Sequence, residues 1–121
     1  MTNLIAKDVK IFVPAKNFEI SLSFYELCGW KINWIHENSL AELELANSRM
    51  FLQDFYVEQW AHNFMIYVQV ESVNEWYIHI KKILEDKKEF SQCKIQAPKK
   101  EPHGEICYVW DPSGVLIHLA E

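Results

Sequence analysis

Apolar and polar positions follow two rhythms along this chain, and the order of the rhythms repeats. Val9 to Val13 is a short apolar run ended by Pro14, which predicts a strand. Asn17 can cap a helix over Phe18 to Leu27, where Ile20, Phe24 and Leu27 recur at helical spacing, and Gly29 is a natural stop. Three strand-like pieces follow: Trp30 to His36, Leu40 to Leu45, and Arg49 to Phe55. The short polar turns His36-Glu37-Asn38-Ser39 and Ala46-Asn47-Ser48 separate them.

The pattern then starts again. Asn63 to Val70 reads as a strand. Ser72 and Glu75 form a capping box, and the helix after it carries Val73, Trp76, Tyr77, Ile80, Ile83 and Leu84 on one stripe. Ile95, Glu105 to Trp110 and Val115 to Ala120 supply three more strands, with Asp111-Pro112-Ser113-Gly114 as the turn between the last two. The order is strand, helix, three strands, twice over, with the halves meeting near Tyr56 to Ala61. A repeat of about 55 to 60 residues exceeds solenoid units and indicates a duplicated module. One α+β domain over 1–121 is expected, with module one at about 1–58 and module two at about 62–121. Each βαβββ module alone leaves a sheet face bare. Two in tandem are expected to curl into an open, mixed-sheet barrel around a central cleft, a common place for ligands.

The totals narrow the function classes. The 121 residues suffice for one core, and half of them are apolar. A net charge of -5 and the lack of a clustered basic face argue against nucleic acid. The pairs Lys81-Lys82, Lys87-Lys88 and Lys99-Lys100 are mixed with acids and read as solvated surface. Cys28, Cys93 and Cys107 are odd in number with no CxxC spacing, so reduced thiols in the cytoplasm are expected. MTNLIAKDVK lacks an apolar run after a basic start, so no signal peptide is expected. No window approaches 18 apolar residues, so no membrane span is expected either.

The Phe24-Tyr25 pair, the segment VQVESVNEW from Val68 to Trp76, and the closing WDPSGVLIHLAE from Trp110 to Glu121 resemble, in this order, the vicinal oxygen chelate superfamily. That group includes glyoxalases, extradiol dioxygenases, fosfomycin-resistance transferases and bleomycin-resistance proteins. The resemblance spans essentially the whole chain, and the DPSG turn is its most specific piece. It implies a dimer, and in the family's enzymes it implies one divalent metal held by His, Glu or Gln on the first and last strands of each half. In register, those positions fall on Lys10, Phe51, Met65 and His118. Lys has no acceptor when charged. Phe has no lone pair, and the Met thioether is soft. One His cannot hold a metal that needs about three protein ligands. A two-residue shift would bring in Gln53 and Asn63 with Asp8 or Phe12, a less convincing set than no metal at all. No metal and no other cofactor is therefore expected, as in the bleomycin-resistance-like members.

Strand alternation selects cleft candidates: Lys10 and Phe12; Arg49, Phe51 and Gln53; Met65, Tyr67 and Gln69; Tyr108; Leu116 and His118. Val9, Ile11 and Val13 are expected to pack on a helix instead. Tyr108 also matches a cavity tyrosine of the fosfomycin-resistance relatives. Phe12, Phe51, Met65 and Leu116 serve equally well as core, and Gln53, Gln69 and Arg49 as a solvated rim. Glu42 and Glu44 share one face, for which exposure is favoured; lining the cleft would instead suit cationic ligands. Lys10 and His118 are expected to meet, with the Lys10 ammonium available to an anionic oxygen or simply solvated. His36, His62, His79 and His103 have no partner at ligand spacing.

No catalytic residue is assigned. The cysteines have no paired base, and there is no phosphate loop or nucleophile elbow. The preferred reading is a metal-free protein that sequesters an amphipathic or aromatic small molecule. A metal-dependent lyase, transferase or dioxygenase and a ligand-free structural or regulatory module are the alternatives.

Overall fold

The computed structural model describes residues 2–121. The first sheet contains β1 (Phe12–Pro14), β2 (Lys31–His36), β3 (Leu40–Leu45) and β4 (Ser48–Gln53), in the order β1-β4-β3-β2. Helix α1 (Phe18–Leu27) follows β1. A short helix α2 (Glu58–His62) occupies the junction between the halves, which the sequence pattern left without an element. The second sheet contains β5 (Met65–Gln69), β6 (Lys94–Ile95), β7 (Lys99–Glu101), β8 (Gly104–Trp110) and β9 (Leu116–Ala120). Its order is β5-β9-β8-β6, with β7 also pairing β8, and α3 (Val73–Asp86) follows β5. In both sheets the first strand runs parallel to the last. The architecture is α+β with two open mixed sheets.

Local chemistry sets the helix ends. Asn17 accepts a bond from the Ile20 amide and Ser72 one from the Glu75 amide, so both helices start on side-chain caps. Helix α1 ends at Gly29, whose φ of +115° allows Gly29 N to reach the Glu26 carbonyl and Trp30 N the Tyr25 carbonyl. This paired closure needs a residue free of a Cβ penalty at positive φ.

The core lies between the inner sheet faces and the helices. Leu43, Met50, Leu52, Val109, Ile117 and Leu119 supply the sheet side. Phe24 and Tyr25 supply the helix side, and Phe24 packs at 5.3 Å from Tyr25 and 5.8 Å from Phe90 between ring centroids. A latch of buried polar groups ties α1 to the turn before β9. Tyr25 OH donates to Asp111 Oδ2 at 2.6 Å, the Ser21 and Ser113 hydroxyls lie 3.2 Å apart, and Lys16 N donates to Ser113 Oγ at 2.8 Å. Asp111 Oδ1 also accepts from the Ser113 and Val115 amides, at 2.7 and 2.9 Å.

Two expectations need correction. Val9 and Ile11 do not pack on a helix: they are 81% and 60% exposed. The parallel ladder covers only Phe12 to Pro14, extended by one bond from Phe51 N to the Ile11 carbonyl. Upstream, residues 2–10 form no strand, and Asp8 ties the arm to Lys10 and Arg49 by charge. Lys99 and Lys100 are exposed, as expected, and they also form an edge strand, β7, whose lysines blunt the edge against further pairing.

The β3–β4 turn places Ala46 at φ +54°. A Cβ is disfavoured there, so Ala46→Gly should raise stability by about 1 kcal/mol despite the looser unfolded chain. Urea unfolding checks this, and a loss of stability would contradict the backbone argument.

Candidate functional site

Each sheet turns one face to its helix and leaves the other open. On the first sheet the register aligns Phe12, Phe51, Glu42 and Trp34 in one row across four strands. A bulge between Ile32 and Trp34 puts Asn33 beside Trp34 opposite Glu42. The Phe12 and Phe51 rings lie 5.0 Å apart, and Trp34 and Phe51 5.7 Å. The neighbouring row pairs Arg49 with Glu44, and Gln53 lies one row further along β4.

Glu42 overturns the expectation of exposure: it is only 8% exposed, on the same face as Phe51. Asn33 Nδ2 donates to Glu42 Oε2 and to Glu44 Oε1, each at 2.9 Å. Lys10 Nζ lies 3.6 Å from Glu42 Oε1, 2.9 Å from Asp8 Oδ2 and 5.7 Å from the Phe51 centroid. Asp8 holds the Lys10 ammonium above the usual lysine range, and Lys10 holds Asp8 below the usual carboxylate range.

On the second sheet Tyr67, His118 and Tyr108 form the matching row. His118 lies 6.3 Å from Tyr67 and 5.1 Å from Tyr108 between ring centroids, and its Nε2 is 3.4 Å from Met65 Sδ. Burial pushes the His118 imidazole below its usual range. Met65 and Leu116 pair in the next row one way, and Gln69 lies in the row beyond Tyr67 the other way. Lys99 Nζ sits 5.5 Å from the Tyr108 centroid.

The sequence candidates thus divide between two faces. Phe12, Arg49, Phe51 and Gln53 belong to the first sheet, whose face Lys10 reaches from the arm before β1, and Met65, Tyr67, Gln69, Tyr108, Leu116 and His118 belong to the second. Lys10 does not pair with His118, contrary to expectation: its charge is committed to Asp8 and Glu42, while His118 is packed among Met65 and the two tyrosines. An open groove of about 1660 Å³ runs between the β1 and β5 edges. It takes in Lys10, Arg49, Met65, Tyr67 and Gln69 but bypasses the Phe12–Phe51–Trp34 cluster and the Tyr108–His118 pair. Sequence reasoning missed Trp34, because the bulge shifts its alternation, and Asn33 and Asp8, which organise the charges.

The donor set at the four positions that the sequence resemblance assigns to a metal does not fit a divalent ion. Lys10 is an ion-paired ammonium, Phe51 offers no donor, and Met65 offers only a thioether beside His118. Among the described residues no three His, Cys, Asp or Glu side chains gather in a metal-binding group. Burial raises the Cys28 and Cys93 thiols to about 12 and Cys107 to about 11, which leaves them protonated and unreactive at neutral pH. Among the described residues, no helix is long and apolar enough to cross a membrane.

Compared by sequence, the chain matches no protein-family model and no curated protein. Compared by structure, it is similar to the bleomycin-binding protein of Streptomyces verticillus solved with copper(II)-bleomycin, at 15% identity and TM-score 0.76, over 96% of this chain and 98% of that one. It is also similar to an antibiotic-binding protein from Streptomyces sp. CB03234, at 17% identity and TM-score 0.74, over 98% of each chain. A lactoylglutathione lyase from Agrobacterium tumefaciens superposes at 13% identity and TM-score 0.69, over 97% of this chain and 95% of that one. With its two sheets, parallel end strands and flanking helices, the chain has the fold of the bleomycin-binding and glyoxalase-like proteins, the vicinal oxygen chelate fold.

Proposed function

We propose that this protein sequesters an amphipathic or aromatic small molecule on its open sheet faces, without a metal. The observation that carries this reading is the pair of half-exposed aromatic rows, Phe12–Phe51–Trp34 and Tyr67–His118–Tyr108, each flanked by a few polar groups. Rings left in water at the centre of a sheet face cost solvation that a flat ligand would relieve. The structural neighbours that bind bleomycin or an antibiotic support a binding role. The unsuitable donors at the metal positions weigh against lyase-type chemistry on this fold.

A thermal-shift screen of aromatic compounds tests the reading. A ligand at 100 times its Kd adds about 2.7 kcal/mol, which for a chain of this size raises Tm by roughly 10 °C. Phe51→Ala should abolish the shift while the protein still melts cooperatively. Stoichiometric Ni, Zn, Mn or Fe in protein purified without chelator would refute the metal-free part.

The working unit is a homodimer. Strands β1 and β5 are both sheet edges, and the arm before β1 exposes Leu4, Ile5, Val9 and Ile11. A second copy would cover this apolar arm. Light scattering on the eluting protein should give twice the chain mass; a monomer at high micromolar concentration would refute it. Three reduced cysteines suit a cytoplasmic location.

A further inference from the structure

We propose that the open face of the first sheet is a seat for an organic cation, an ammonium or amidinium carried on a flat apolar body, and that Lys10 occupies this seat in the ligand-free protein. The inference rests on the small-molecule reading above and names the charge of the ligand.

Glu42 is a carboxylate 8% exposed on an aromatic face, an expensive position unless a cation compensates it. Asn33 satisfies Oε2, so Oε1 is the oxygen presented to the face. Its cation in this structure is the Lys10 ammonium, 3.6 Å away and also 5.7 Å from the Phe51 centroid. Carboxylate on one side and ring on the other is the environment that selects an organic cation. Phe12 and Trp34 extend the ring surface on both sides of Phe51, beyond what a lysine stem can cover.

Lys10 is shared between this seat and Asp8, which at 2.9 Å is the nearer of its two carboxylates. It comes from the arm that ends where the β1 ladder begins, outside the hydrogen-bonded sheet. An arriving cation with its own aromatic body keeps the Phe51 contact, gains contacts with Phe12 and Trp34 that the Lys10 ammonium does not make, and can displace it. An anion is disfavoured, since Asp8, Glu42 and Glu44 outnumber Lys10 and Arg49 on this face. Arg49 is itself engaged by Glu44 and Asp8, at 3.7 and 3.9 Å.

The test uses three probes of nearly one shape: benzamidine, benzamide and benzoate, titrated at pH 7 into the full chain and followed by NMR shifts of the Trp34 indole and the Lys10 side chain. Benzamidine should bind about tenfold more tightly than benzamide, move the Lys10 resonances towards those of a free lysine, and leave benzoate without detectable binding. Lys10→Ala removes the competitor and should tighten benzamidine binding by about threefold or more. Glu42→Gln should reduce benzamidine to the level of benzamide. Equal binding of benzamide or benzoate, or weaker benzamidine binding by Lys10→Ala, would overturn the cation seat. If none of the three binds while the aromatic screen still finds ligands, the seat falls and the sequestering role stands. A screen with no aromatic ligand removes both.

Discussion

Gly114→Ala should destabilise the protein by about 2 kcal/mol, lowering Tm by roughly 8 °C. Two independent costs combine. Gly114 has φ +92°, a conformation that costs a side-chain-bearing residue about 1–2 kcal/mol. A Cβ built there would also lie 2.4 Å from His62 Cδ2 and 2.7 Å from Nε2, so the ring of α2 would have to move. The costs separate in a double mutant: His62→Ala in the Gly114→Ala background relieves the clash and leaves the backbone cost. Urea unfolding of the four proteins measures the coupling. Full recovery in the double mutant would mean that φ contributes nothing, and no recovery would mean that His62 is not the obstacle.

The second large effect is a dependence of stability on pH that resides in Asp111. Burial lifts this carboxyl from 3.8 to about 6, although Tyr25 and the Ser113, Gly114 and Val115 amides pull it down. The folded pKa lies above the unfolded one, so between about pH 4 and 6 the native state binds more protons than the unfolded chain. Stability therefore falls as pH rises through that window. About two pKa units correspond to about 3 kcal/mol, fully lost above pH 7. His118 works in the opposite sense: its lowered pKa makes the fold lose stability as pH drops below the usual histidine range. The measurement is thus the difference between wild type and Asp111→Asn in urea from pH 4 to 7.5. That difference should shrink by about 3 kcal/mol in favour of the variant. A difference independent of pH would show that the latch bonds offset burial completely.

Much of this was legible in the chain. The caps at Asn17 and Ser72, the stop at Gly29 and the two-beat alternation of β3 and β4 fix helices and hairpins because each depends on a few neighbouring residues. The alternation also assigned Phe12, Phe51, Tyr67 and His118 to faces. Whether a face meets water depends on the opposite sheet or another chain, and this is where Glu42 escaped. Its partner escaped as well: Ala46-Asn47-Ser48 reads as a three-residue turn, whereas Ser48 pairs with Leu45, so the turn is two residues and Glu42 stands opposite Phe51. Trp34 and Asn33 were hidden by a bulge, which breaks alternation without a glycine to mark it. The arm escaped because the apolar residues Val9 and Ile11 imitate a strand, and only the short ladder with β4 shows otherwise. The separation of Lys10 from His118 reflects how the two sheets are arranged, which no local pattern encodes.

The latch between α1 and the final turn also has a kinetic meaning. Its bonds join residues 86, 92 and 97 positions apart, whereas β2–β4 and β8–β9 are built from hairpins of near neighbours. Closing such long loops costs entropy that hairpins avoid, so the halves can take shape before the latch does. Bonds absent at the folding barrier govern how fast the native state comes apart rather than how fast it forms. Tyr25→Phe and Ser113→Ala should therefore speed unfolding more than they slow folding, as stopped-flow refolding and unfolding would show.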